Sequence, residues 1–590
     1  MKRHDHRMWM AALLVGGSIF FGPRAAADGP APGERASRDL PAYRLQLKVE
    51  CASPEAAEQA ELKFLPLPPA KTVAFSCRWD DTNPRHLRMK RLMQKYGYKG
   101  TFYLTTPTPD YIRDVLPELC KDGCTVGNHT ISHFYPAMMT PNGVFFEMIE
   151  ARILHESLTG QTETAFIFPY GNARSVLYPD IENVIASCLR RTGVLGGPDG
   201  ATTYLNKLPG NEFFTPEGCM IRPGDRNTKA EKFDADVQRS LPKAGNTAHM
   251  TLGVHVWHSD ADFAELEKGL KKYAGRPDWW YCNENEFLSY AYMFRHARVL
   301  GKQRDGKTLL FTLEMPCPEY LGSTTPLWAR CDGKEIEIRH TRSLPQKIAA
   351  ASPTGPVPEF PGLAARLFYP APDRIRFELE NTGAPLRDVR MILRLPPDFV
   401  EETLCCHTDD ISGSFSKEWQ VRPNPAWESS GKRVTALQLD FTRGGRGGRV
   451  WVACRQEKPA VPVAELMASS RSFSEQELNE LARPDTKHAE FLPLPHRLND
   501  RETTFRIPRK LRNNDSLTVL MDFRGGKTMT LKGDLPETLL CNGRKIERSN
   551  GIFRFDAPAG KCRLLLRFVK PQSARDRLQL LLAPERAAGK

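Results

Sequence analysis

Three short stretches hold residues whose types and spacing could do chemistry. The run AFSCRWDD ends in two adjacent carboxylates, Asp80 and Asp81. GNHTISHFYP carries His129 and His133 four residues apart, and VHVWHSD carries His255 and His258. Neighbouring carboxylates each raise the cost of ionising the other unless a cation or hydrogen-bond donors offset the repulsion. Two imidazoles four apart face one point if their segment makes a helical turn, an arrangement that suits a metal ion. A strand end opening into a solvated turn would account for the aspartates alone, so the argument depends on what brings the three stretches together.

Between about residues 70 and 300, strand-like and helix-like segments alternate. TVAFSCRW, GTFYLT, CTVGNH, TAFIF and HMTLGVHVW read as strands. Helical periodicity follows the first of them, with Met89, Leu92, Met93 and Tyr96 on one face and Gly97 as a stop. Repeated βα units imply an α/β fold with a parallel sheet, closed as a barrel or doubly wound, whose chemistry sits at strand C-terminal ends. The aspartate pair, the His129/His133 pair and FPYG, with Pro169, Tyr170 and Gly171, each follow such an end, and the late strand is read as running through His255 to His258. Past residue 300, short strand-like runs with Gly, Pro, Asn and Asp punctuation read as antiparallel sandwich modules.

At these residues the chain resembles the polysaccharide deacetylases, the NodB-type carbohydrate esterases of family 4. WDDT is similar to the first motif of that family, HTISH to the second, FPYG to the third and VHVWHSD to the last, in order, while DWWYCNENEFLSYAY resembles the stretch that closes the domain. The resemblance implies a distorted (β/α) barrel followed by β-sandwich-like domains. It implies that Asp81, His129 and His133 hold a divalent ion, zinc first, with an open position for water and substrate. Asp80 would be the general base, the Tyr170 backbone N–H an oxyanion donor, and a histidine the acid for the departing amine, with His258 favoured over His255. Departures are Thr82 for a glycine, Trp79 for a phenylalanine, and Ile167 where many members carry an arginine that pairs with the base. Arg222 is the candidate to reach in instead. The family's fourth motif is not recognisable.

The totals fit this frame. The 590 residues suffice for several domains. A basic start, an apolar run from Met8 to Phe21 and small residues Ala25 and Ala27 have the layout of a secretory signal peptide, and no later stretch approaches the roughly 20 apolar residues of a membrane span. We expect a signal peptide at 1–27, a linker at 28–69, the deacetylase-like domain at 70–300, a β-sandwich-like domain at 301–456, a linker with one helix at 457–500 and a small β domain at 501–590. The 14 cysteines permit disulfides in an exported chain, but their scattered placement suits small buried hydrophobes better. A net charge of +13, interspersed with acids, suits an anionic matrix without requiring one, and no nucleic-acid-binding motif is present. The expected function is a secreted, metal-dependent deacetylase of an acetylated polysaccharide, N-acetyl ahead of O-acetyl. The alternative is a catalytically impaired carbohydrate-binding or envelope protein on the same scaffold. Oligomeric state is left open.

Overall fold

The computed structural model describes residues 41–584 except 134–135, 137–138, 170–180, 199–200, 207–218, 222–228, 254, 257, 425–430, 459–462, 485, 487–490, 494–495, 500–501, 507–510, 512–514 and 570–576. In chain order the first elements are β1 (Ala42–Glu50), α1 (Pro54–Gln59), β2 (Lys63–Phe64), β3 (Val73–Asp80), α2 (His86–Lys95), β4 (Gly100–Leu104), α3 (Pro109–Asp114), α4 (Leu116–Leu119) and β5 (Thr125–Asn128). They continue with α5 (Pro141–Thr159), α6 (Ile181–Thr192), α7 (Ala201–Asn206), β6 (Cys219–Ile221), α8 (Ala230–Ser240), β7 (Ala248–Leu252), α9 (Asp260–Tyr273), β8 (Trp279–Tyr281), α10 (Glu284–His296), β9 (Arg298–Asp305) and β10 (Thr308–Pro316).

The site-bearing sheet runs β5-β4-β3-β7-β6, all parallel, with β8 beside the first half of β3. All of β3 is buried, as a central parallel strand covered on both faces must be. Its odd positions, Val73, Phe75, Cys77 and Trp79, join a core with Met89 and Met93 of α2 and Phe263 and Leu266 of α9. Strand alternation therefore sends Ala74, Ser76, Arg78 and Asp80 to the opposite, inner face. TAFIF contributes only isolated parallel bridges, Asn128 to Phe166 and Ala165 to Gly196.

β7 stops at Leu252 because Gly253 follows at φ +131°, where a Cβ would lie 1.9 Å from the Arg78 carbonyl oxygen. Only glycine tolerates that approach. His255 and His258 consequently sit beyond the strand rather than on it. Helix ends obey local capping: Thr140 accepts from the Gly143 N–H at the start of α5, which ends at Gly160 with φ +68°, and Ser259 with Asp262 boxes the start of α9.

Within the stretch expected as a linker, β1 pairs antiparallel with β10, Ala42 opposite Pro316 and Glu50 opposite Thr308, and β2 pairs with Leu327–Cys331. Inward residues Leu45, Leu47 and Val49 pack with Phe287 and Leu288 of α10. Backbone pairing and burial tie this segment to the region that follows the parallel sheet.

The region beyond is β-rich. One six-stranded sheet spans Lys347–Ala350, Arg446–Lys458, Gly431–Arg443, Arg374–Arg394 and Leu363–Ala371 in that order, with Thr403–Gln420 on Arg374–Arg394. One face has its own core around Phe377, Leu393 and Leu437. The other presents Ile348, Val434, Ala436 and Trp451 to Phe145, Met148 and Ile149 of α5 and Leu189 of α6. Arg449 anchors this junction: its Nε donates to Asp440 at 2.7 Å, its Nη1 to Glu156 at 2.9 Å and Thr162 at 3.1 Å, and its Nη2 to the Glu319 carbonyl. Burial opposes the ionisation of Glu156, but Arg152 and Arg449 outweigh it and hold its pKa down to about 2.

Farther on, Val463–Ser469, expected in a linker, pairs with Ser516–Gly525. Two six-stranded sheets there share a core in which Val519 and Leu564 of one meet Leu531, Phe553 and Leu580 of the other. Cys77, Cys188, Cys282 and Cys317 are buried free thiols. No helix among the described residues is long and apolar enough to cross a membrane.

Candidate active site

The site begins where β3 ends. Arg78 and Asp80, two apart on one strand, share its inner face, are 2% and 4% exposed, and form an ion pair from Arg78 Nη1 to Asp80 Oδ2. Asp80 Oδ1 has no hydrogen-bond partner among the described residues. The Asp80 carbonyl accepts from His86 Nε2 at 3.1 Å, and His86 Nδ1 accepts from the Tyr111 hydroxyl at 2.9 Å. Burial pushes the pKa of His86 down to about 4 against the pull of the Asp80 carbonyl, so this imidazole is a neutral prop for the strand end. The chain then turns sharply at Asp81, whose φ of +66° places a non-glycine residue in left-handed conformation at a cost of about 1–2 kcal/mol.

β5 delivers the histidines. His129 donates from Nδ1 to the Ile167 carbonyl at 3.0 Å, which fixes the tautomer and leaves Nε2 as a lone pair. That Nε2 is buried and has no hydrogen-bond partner among the described residues. Asn128 braces the turn, donating to the Met148 carbonyl at 2.8 Å and Glu163 at 2.7 Å while its Oδ1 accepts from the Thr130 N–H at 3.0 Å. Ser132 donates through its N–H at 2.9 Å and its hydroxyl at 2.8 Å to Glu147 of α5. Thr130 and His133 have φ of +64° and +55°. The His129–His133 segment is therefore not the helical turn expected from the spacing; a braced loop with two left-handed residues brings the rings together.

The two ends converge. Asp81 Oδ1 lies 3.1 Å from His133 Nε2 and 3.5 Å from His129 Nε2, and the two rings are 4.8 Å apart at 65°. One donor atom from each residue falls within 4.8 Å of the others. Burial disfavours the charged form of Asp81, but the His129 and His133 imidazoles beside it overcome this and hold its pKa well below the usual carboxylate range. One carboxylate oxygen and two imidazole nitrogens, with a buried lone pair on His129, fit a divalent ion with positions left for other ligands.

Of the other expected site residues, His255 lies at the rim, its Nε2 3.7 Å from Asp81 Oδ2 and its side chain 32% exposed. His258, favoured from the sequence, is 1% exposed and sits edge-on to Trp79 and Phe263. Tyr170 and Arg222 lie outside the described residues. Ile167 is fully buried beside the site and offers it only a backbone carbonyl. Sequence reasoning passed over Arg78, although its position two before Asp80 in a predicted strand was sufficient to place both side chains on one face.

Residues 69–184 match the model of the family described as polysaccharide deacetylase. Among solved structures, the Xyl-CE4 domain of a multidomain xylanase from the hindgut metagenome of Trinervitermes trinervoides is similar at 13% identity and TM-score 0.26, over 38% of this chain and 92% of that one. Peptidoglycan deacetylase PdaC from Bacillus subtilis is similar at 16% identity and TM-score 0.25, over 38% and 91%. A family 4 acetyl xylan esterase from Clostridium thermocellum, in complex with a cobalt ion, is similar at 15% identity and TM-score 0.27, over 37% and 90%. No curated protein matches the chain. The segment that holds Asp80, Asp81, His129 and His133 is a polysaccharide deacetylase domain.

Proposed function

We propose that the protein is a secreted, metal-dependent hydrolase that removes acetyl groups, N-acetyl ahead of O-acetyl, from a polysaccharide. One observation carries the reading: the Asp81, His129 and His133 donor atoms converge next along the chain to a second, buried carboxylate, Asp80, whose Oδ1 has no hydrogen-bond partner among the described residues. A binding module has no use for an available base at that point.

In this reading Asp81, His129 and His133 hold the ion, zinc by preference, which when bound supplies positive charge to polarise water and the substrate carbonyl. Asp80 Oδ1 takes the proton of the attacking water. His255 Nε2, at the rim and near Asp81, gives a proton to the leaving nitrogen, a part the sequence had given to His258. The oxyanion role is given to the Tyr170 backbone N–H by the family resemblance alone. Arg222 stays a candidate contributor on the same footing. The parallel sheet, whose pairing order ends at β5 and β6, is read as the distorted barrel of the family, and residues 1–27 as a leader that exports the chain.

The test is acetate release from chitooligosaccharides, peptidoglycan and acetylated xylan, with and without chelator. Chelator-sensitive release that Asp80→Asn abolishes while metal content is unchanged supports the proposal. Absence of release from every glycan by metal-loaded wild-type protein overturns it in favour of a binding role.

A further inference from the structure

We infer that Arg78 is the positioning residue for the base Asp80, doing from within β3 what the family's third-motif arginine does from a separate loop. The inference rests on the deacetylase reading above and extends it to a residue outside the motifs. Three features of this chain carry it.

The third motif here has Ile167, an apolar side chain that is fully buried and contributes no charge. Arg78 Nη1 instead donates directly to Asp80 Oδ2, and both side chains are almost wholly withdrawn from solvent. A carboxylate so buried needs a charged or hydrogen-bonding partner to hold it in place.

The second feature is register. Residues two apart on one strand project from the same face at a spacing set by the backbone, so the guanidinium and the carboxylate are fixed by strand geometry rather than by loop packing. The strand itself has no slack at this point, since Gly253 closes against the Arg78 carbonyl with no room for a Cβ.

The third feature is the division of the carboxylate. Arg78 occupies Oδ2, and Oδ1 keeps no partner among the described residues. The orientation that results presents one oxygen for proton transfer and commits the other to the protein.

The experiment compares Arg78→Met and Arg78→Lys with wild type in steady-state acetate release, metal content and thermal unfolding. For Arg78→Met we expect kcat lowered by about 10²-fold, the loss that a misplacement of about 1 Å brings, with KM within about threefold of wild type and metal stoichiometry unchanged. Arg78→Lys should recover about tenfold of that loss, because the charge returns without the planar fork. A folded, metal-loaded Arg78→Met enzyme with kcat within threefold of wild type overturns the proposal. If Arg78→Met does not fold, Arg78→Met/Asp80→Asn, which removes the buried carboxylate with its partner, should fold. Failure of both variants, with folding restored by neither, assigns Arg78 a purely structural part and overturns the proposal as well. If wild-type protein releases no acetate at all, the deacetylase reading falls separately. The unfolding temperatures of wild type, both single variants and the double variant then decide whether residues 78 and 80 are coupled: non-additive temperatures uphold the contact, and additive ones overturn it.

Discussion

Two buried charged clusters in this molecule are built differently. At the end of β3 and β5, Asp80 keeps one oxygen and His129 keeps one nitrogen without a hydrogen-bond partner among the described residues, and Asp81, Thr130 and His133 hold left-handed backbone. At the junction between α5 and the six-stranded sheet, all three nitrogens of Arg449 are engaged, by Asp440, Glu156, Thr162 and the Glu319 carbonyl. Buried polar atoms are normally satisfied because leaving one bare costs about 1–3 kcal/mol. A place that bears that cost repeatedly, and adds backbone strain, is one where the lone pairs are wanted by something else. At the joint Arg449 is saturated although Arg152 Nη2 beside it has no hydrogen-bond partner among the described residues, whereas at the strand ends the open atoms are acceptors grouped with left-handed backbone.

Substitutions can break this contrast from either side. The largest effect is expected from Asp80→Asn, which should lower kcat by about 10²–10⁴-fold, the usual worth of a general base, with metal content retained. Arg449→Met should act in the opposite way. It strips buried Asp440 of its ion-pair partner and leaves Glu156 with Arg152 alone, and it should destabilise by about 3–5 kcal/mol, read in denaturant unfolding, while kcat of the still-folded fraction stays near wild type.

A third prediction concerns pH. His86 has a folded pKa of about 4 against about 6.5 in an unfolded chain, so above pH 6.5 both states are neutral and its contribution is whole. As pH falls from 6.5 to 4 the unfolded chain takes up a proton that the folded one refuses, and about 3 kcal/mol of stability is lost. The stability of His86→Gln should be flatter with pH across that window than that of wild type. The smallest effect is expected from Ser259→Ala, which removes the cap of α9 beside His258 and should cost about 1 kcal/mol in thermal unfolding with kcat unchanged.

The parallel strands were legible because both-face burial writes continuous apolar runs such as VAFSCRW, and the site was legible because its donors follow those runs. What was missed has local causes. Reading β7 through His255 ignored Gly253, whose backbone conformation ends the strand and puts His255, not His258, at the rim. The His129/His133 spacing suggested a helical turn, but Asn128 and Glu147 hold a different loop, and Glu147 reaches it from α5, 15 residues beyond the Ser132 it holds. Arg78 was passed over because strand alternation was not applied to the positions that share a face with Asp80. The pairing of β1 with β10 had no signal at all, since partners such as Gln46 and Thr312 are 266 residues apart.

That last pairing sets an order of assembly. β1 is synthesised before the parallel sheet and β10 after it, so β1 has nothing to zip against until the whole parallel sheet has been made. Long-range closure of this kind is slow. In pulse-labelled refolding, the amides of Leu45 and Leu47 should gain protection after those of Phe75 and Cys77, so that β1 locks only after the parallel sheet has formed.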